Sequence, residues 1–201
     1  LGFLGALCAS LITVIIAAVS AWYGGWVDIL VQRFTEINMI LPTLAIAITV
    51  FFIYSKSVWV ILGVFVILSI FNTSVKNYRA ILLQAKEASY IEAARAYGAS
   101  NWRIITRYLI PRIVPVLIPQ LIILTPTFVF LEATLAYLGV SDPSFPTWGK
   151  VILSSFMSNA LGEGHFHWVL GPVVLLIITG LAFAMVGYAL DGILNRRVKH
   201  I

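Results

Sequence analysis

The chain has 201 residues, 61% of them hydrophobic and 10% charged, and a mean hydropathy of +1.00. That leaves too little polar surface to cover a water-soluble globule, so the sequence reads as a membrane protein. The formal charge of +5 would suit nucleic acid only if the basic residues were gathered on a polar domain, and the single cysteine, Cys8, cannot form an internal disulfide and is expected to pack inside an apolar span.

Leu1 to Tyr23 is uncharged and rich in Leu, Ile, Val and Ala, about the twenty residues a helix needs to cross the hydrocarbon layer. It predicts the first span. Gly24-Gly25 breaks it. Trp26, Leu30, Phe34, Ile37 and Leu41 then recur at helical spacing, with Asp28, Gln32, Arg33 and Glu36 in other directions, which predicts an amphipathic helix at the interface with an interfacial polar face. A second span is expected from Leu41-Pro42 to Tyr54, short unless the preceding helix contributes to it, then a tight turn at Lys56 and Ser57, and a third span from Val58 to Phe71 whose helix continues through Asn72, Lys76 and Arg79.

The polar middle of the chain follows. Ser89 and Glu92 stand at capping-box spacing, which predicts a helix start there. Gly98 is expected to close that helix in the left-handed conformation, and Ser100 to cap the next one. The product is a compact corner whose Ala93, Ala94 and Ala96 are small enough to let another surface come close, a docking knob. Tyr108 to Leu131 predicts a fourth span kinked by Pro111, Pro115, Pro119 and Pro126, which a membrane bundle tolerates where a soluble helix would not. Gly139 to Lys150 is turn-rich and reads as a loop, Val151 to Leu161 as a partly apolar helix, Trp168 to Leu190 as the fifth span and Asp191 to Ile201 as a short basic tail.

Five spans put Arg33, the seven basic residues from Lys76 to Arg112, and Arg196, Arg197 and Lys199 on one side, and leave only Lys56 and Lys150 for the other. By the positive-inside rule the knob and the carboxyl end face the cytoplasm and Leu1 faces out, which implies at least one more helix upstream. The same distribution disposes of nucleic-acid binding, because insertion and anionic headgroups account for the charge.

Glu92-Ala93-Ala94, three residues, Gly98, and Pro111 thirteen residues on resemble the EAA loop of permeases in binding-protein-dependent ABC importers, with Tyr108-Leu109-Ile110-Pro111 where the family's usual ending is Ile-x-Leu-Pro. Five further stretches in the right order are similar to the dipeptide, oligopeptide and nickel branch: Tyr23-Gly24-Gly25-Trp26-Val27-Asp28, with Glu36 where Asp is usual; Arg79 and Lys86-Glu87; Glu132 to Gly139; Pro146-Thr147-Trp148-Gly149; and Asp191-Gly192. The resemblance implies an all-α polytopic bundle of five spans, residues 1–201 as a single transmembrane domain, and residues 87–111 as a cytoplasmic coupling loop. It also implies two cytoplasmic ATPase subunits, a second related permease subunit, an external solute-binding protein, and a peptide or nickel-complex substrate. Hydrolysis then belongs to the partners, and the chain itself is a multi-pass inner-membrane protein without enzymatic activity or cofactor. On this reading Glu92, Ala93, Ala94, Arg95, Gly98 and Pro111 carry ATPase coupling.

Other residues admit two readings. Asn72, Thr73, Thr125 and Thr127 can line a polar path, or bond their own helix backbone. Glu132, at the end of the kinked span, can belong to the substrate path or reach water and backbone. Glu163, His165 and His167 invite a metal reading, but alternate residues project together only on a strand and no fourth ligand is evident. No nucleophile stands with a base, and no phosphate-binding glycine loop occurs. The rival class is an ATP-independent secondary transporter or channel. Against it, every ionisable residue can be placed near an interface rather than at mid-membrane.

Overall fold

A computed structural model describes residues 1–54 and 57–198, with only the backbone of residues 191 and 194–198 in the last helix. The order is α1 (Gly2–Tyr23), α2 (Gly25–Ile40), α3 (Thr43–Ile53), α4 (Val58–Ile70), α5 (Thr73–Lys86), α6 (Ser89–Ala96), α7 (Asn101–Ile104), a π-helical turn (Ile105–Leu109), α8 (Ile110–Tyr137), α9 (Trp148–Met157) and α10 (Phe166–Val198). No strand occurs among the described residues. Three helical runs are long and apolar enough to cross a membrane alone: α1, the run Asn101–Tyr137, and Phe166–Leu190 within α10. The pairs α2–α3 and α4–α5, bent by 88° and 43°, reach that length only together, so the described chain has three to five spans.

The bundle is built around α1. Its buried residues are small, among them Ala6, Ala9, Ser10, Thr13, Ala17, Ala18 and Ala21, so neighbouring backbones approach closely, as membrane helices do when van der Waals packing holds them together. Around this axis lie two apolar cores. One gathers the carboxyl half of α1 (Val14 to Trp22) with Tyr78 and Leu82 of α5, Ile91 of α6, and Ile104, Ile105, Leu109 and Ile113. The other gathers Ala6 and Ala9 with Phe51, Ile61, Phe65, Phe128 and Leu135 at the opposite end of α1 and α8.

The helix of the third span does not run unbroken past Phe71 as expected; it breaks there, and α5 leaves α4 at 43°. Asn72 caps a new helix, accepting from the Ser74 N–H at 2.8 Å. The carbonyls that a break leaves free at the end of α4 are taken by other helices: Asn38 Nδ2 donates to Leu68 O and Phe71 O, both at 2.6 Å, and Thr13 Oγ1 donates to Ile70 O at 3.1 Å. Those donors satisfy groups that a low-dielectric interior would otherwise penalise, which makes the bend a stable feature.

Four prolines do not break the fourth span. Pro115, Pro119 and Pro126 lie inside α8, and the irregularity falls ahead of Pro111, where the wider π turn closes with the Ile110 N–H on Ile105 O. Pro111 has no N–H to give, and its ring presses on the carbonyl one turn back, so a locally widened helix relieves the clash. After Tyr137 the chain turns through a loop to α9, which starts at Trp148 rather than Val151 because Thr147 caps it, accepting from the Lys150 N–H at 3.4 Å. Gly149 sits so close to α8 that a Cβ there would meet Ala133 O at 2.3 Å. The residues expected to form a basic tail are helical to Val198, and Cys8, expected to pack inside, is exposed. The turn at Lys56 and the tail's Lys199 fall outside the described residues.

Candidate coupling site

The corner of α6, Gly98 and α7 follows from local chemistry. Helix α6 begins one residue earlier than the capping box requires: its N-cap is Ala88, which makes no side-chain cap, and Ser89 is already helical. The register is set by the turn leaving α5, where the Ala88 N–H reaches Ala85 O at 3.2 Å, and by the burial of Ile91, which is 0% exposed. Ile91 is the helix's one large apolar anchor, and its burial contributes about 1.5–3 kcal/mol.

At the other end the expected closure is present. Gly98 has φ +77°, its N–H reaches Arg95 O at 2.9 Å, and the Ala99 N–H reaches Ala94 O at 3.0 Å. That pair of bonds is a Schellman closure, which needs a left-handed residue at this place. Ser100 Oγ then accepts from the Arg103 N–H at 3.3 Å and starts α7.

Two faces result. Ile91 and Ala94 point into the core, so Ala94 packs against the bundle instead of offering itself to a partner. Glu92, Ala93, Ala96 and Tyr97 point away and are exposed, Tyr97 to 92%, and Trp102 of α7 is exposed too. The outward face of α6 therefore combines small side chains with an exposed aromatic ring, a composition that suits close packing against another protein. Pro111, also exposed, lies beyond the π turn on the approach to α8.

The corner is tied to α1 by contacts that sequence reasoning did not find. The Arg95 guanidinium lies 4.6 Å from the centre of the Trp22 ring, and the Lys86 ammonium 5.5 Å from it. Lys86 Nζ also donates to Ala21 O and Trp22 O, at 3.1 and 2.7 Å, closing the carbonyl end of α1. A cation there also favours the negative end of the helix dipole. Just beyond, Asp28 does not join an interfacial polar face. It turns inward, where Arg79 binds both its oxygens and Ser20 Oγ donates at 2.7 Å. Arg33 and Glu36 do pair on the surface at 2.9 Å. The long separation between Trp22 and Arg95 hides this clasp from pattern reading, although a lone tryptophan at the end of a small-residue helix was a visible cue.

The residues read as a polar path do not come together. Thr125 is buried with its hydroxyl on Leu121 O at 3.0 Å, and Thr127 bonds Ile123 O at 3.4 Å. Asn72 caps α5 and lines a small polar pocket with Ser10, Thr13 and Gln120, while Thr73 is exposed. Glu132 lines a separate and larger cavity at the opposite end. His165 and Glu163 approach to 3.8 Å, and no group of three metal-binding side chains occurs among the described residues.

Residues 9–200 match the family of binding-protein-dependent transport system inner membrane components. The chain belongs to that family. It is 31% identical over 180 residues to the peptidoglycan transport system permease protein YejE of Agrobacterium fabrum, an alignment covering 88% of this chain and 47% of that protein. It is 27% identical over 199 residues to the dipeptide transport system permease protein DppC of Bacillus subtilis, covering 98% and 61%. It is also 27% identical over 185 residues to the oligopeptide transport system permease protein OppC of Lactococcus lactis subsp. cremoris, covering 91% and 62%. The chain thus spans between about half and just under two thirds of the length of these curated relatives. Within this inner-membrane component, the α6 corner is the segment that carries the Glu92-Ala93-Ala94 and Gly98 pattern.

Proposed function

We propose that the chain is the membrane-spanning part of a permease subunit in an ATP-driven importer of peptides, with α6 as the element that receives the ATPase. In this reading the α6 corner and the carboxyl end lie in the cytoplasm, α2–α3 and α4–α5 each act as one span, and a second, related permease completes the pathway. Two cytoplasmic ATPase subunits grip the outward faces of the two α6 helices, and an external solute-binding protein delivers the substrate. The names of the relatives support peptides over a nickel complex as cargo.

The observation that carries the proposal is the two-faced α6: Ile91 and Arg95 hold it to the bundle while Ala93, Ala96 and Tyr97 stand free. A rigidly held knob with an exposed outer face transmits displacement without supplying chemistry. Nucleotide-driven closure of the ATPase pair moves α6, and the clasp passes that motion into α1 and α5. Such a shift needs only a difference in binding energy between two arrangements.

The test is reconstitution. The complex purified from detergent is expected to retain ATPase subunits, and a peptide with its binding protein is expected to stimulate ATP hydrolysis. Uptake that persists with no nucleotide-hydrolysing subunit would contradict the proposal and favour an ATP-independent transporter.

A further inference from the structure

We infer that the cavity at the end of the bundle opposite α6 is a binding site for an organic ammonium group, with Glu132 as its anionic partner; identifying that group as the amino terminus of a peptide rests on the import reading above. The cavity holds about 490 Å³, within the range of small-ligand sites, and is lined by Phe65, Phe128, Phe145 and Trp148 together with Glu132 and Thr147. Aromatic faces and one carboxylate around an apolar space suit a cation that carries hydrocarbon, because ring quadrupoles attract positive charge and the carboxylate fixes its position.

Lys150 acts on both Glu132 and Asp142 through space, and the Leu1 amino group acts on Glu132 as well. Lys150 also spends its donors elsewhere: Nζ bonds Asp142 O at 3.0 Å, Pro143 O at 2.9 Å and Phe145 O at 3.0 Å. It shapes the loop that walls the cavity without forming a hydrogen bond to Glu132. Asp142 is likewise committed, accepting from the Ser144 and Val58 N–H groups at 2.8 and 3.1 Å. Of the three charged side chains, Glu132 alone lines the cavity. Among the described residues no Lys or Arg side chain lines it, so its side chains favour the amino end of a peptide over the carboxyl end.

The experiment uses the whole transporter with its ATPases in lipid nanodiscs, without the binding protein, and two probes, dileucine amide and N-acetyl-dileucine amide. Direct binding is expected to favour the free amine by about tenfold or more, the scale of a hydrogen bond to a charged group. In Glu132→Gln that preference falls to near unity, and in Glu132→Asp part of it returns, which separates loss of charge from misfolding. An unchanged preference in Glu132→Gln, equal binding of both probes to the native complex, or binding of neither would overturn the site. The import reading is scored separately by peptide-stimulated ATP hydrolysis in the presence of the binding protein. Amine-selective binding without that stimulation upholds the site and rejects peptide import; stimulation that survives Glu132→Gln with an unchanged preference does the reverse.

Discussion

The guanidinium of Arg95, on α6, lies 4.6 Å from the centre of the Trp22 ring at the end of α1. Seventy-odd residues apart in the chain, the two join the knob to the central helix of the bundle. Trp22 is 6% exposed and Arg95 is exposed, so the contact sits where core meets solvent and is worth about 0.5–1 kcal/mol. Arg95→Gln should therefore leave the fold and ATPase binding nearly intact while lowering substrate moved per ATP hydrolysed. A double-mutant cycle with Trp22→Leu, read on that ratio, should return a coupling of the same size, and strictly additive effects would show that the ring and the guanidinium act independently.

Gly98 fixes the aim of the knob. At φ +77°, with its N–H on Arg95 O, it is incompatible with proline on two counts, the fixed negative φ and the missing donor. Gly98→Pro should insert normally, since no span is touched, yet fail to retain ATPase subunits on purification and fail in uptake. Gly98→Ala, which keeps the donor and costs on the order of 1 kcal/mol, should be intermediate.

Asp28 and Arg79 are 17% and 29% exposed and bind through two donors, so removing one leaves a poorly solvated charge behind. Arg79→Ala should lower stability by about 2–3 kcal/mol, below the range for fully buried pairs because both groups retain some water. The double variant with Asp28→Ala should recover part of that loss. Thermal unfolding in detergent measures both.

Asp142 anchors the loop after α8 to the start of α4. The N–H groups of Ser144 and Val58, Ser144's first, hold its carboxyl below the usual carboxylate range. A carboxyl depressed in the folded state contributes fully above its unfolded value of about 3.9 and loses that contribution as the pH falls through the folded value. Hydrogen exchange at the Ser144 and Val58 amides should thus show constant protection from pH 8 to about 5 and lose it only below about pH 4. Asp142→Ala, which has no side-chain acceptor, should lose it at every pH.

The parts legible in the sequence are those governed by local chemistry. The apolar run of α1, the break at Gly24, the Gly98 closure and the Ser100 cap each depend on a few neighbouring residues, and each stands as read. The parts that were not legible depend on distant partners. Nothing near Phe71 announces that Asn38 and Thr13 will take the carbonyls of α4, so the third span reads as continuous when it is bent. Ser89 and Glu92 have capping spacing, but burial of Ile91 sets a register in which Ala88 stands at the cap. At the site, the outward placement of Glu92 and Ala93 was legible. The inward placement of Ala94 and the Trp22 clasp were not, because both depend on how α6 lies against α1.

The most direct test of the account is photo-crosslinking from position 97, using Tyr97→p-benzoylphenylalanine in the full transporter in native membranes. Tyr97 is 92% exposed on the outward face of the knob, so a reactive group there samples whatever occupies that face. The account predicts a covalent adduct with a cytoplasmic ATPase subunit that changes in yield when nucleotide is bound. Adducts with lipid or with an external protein, and none with an ATPase, would contradict it.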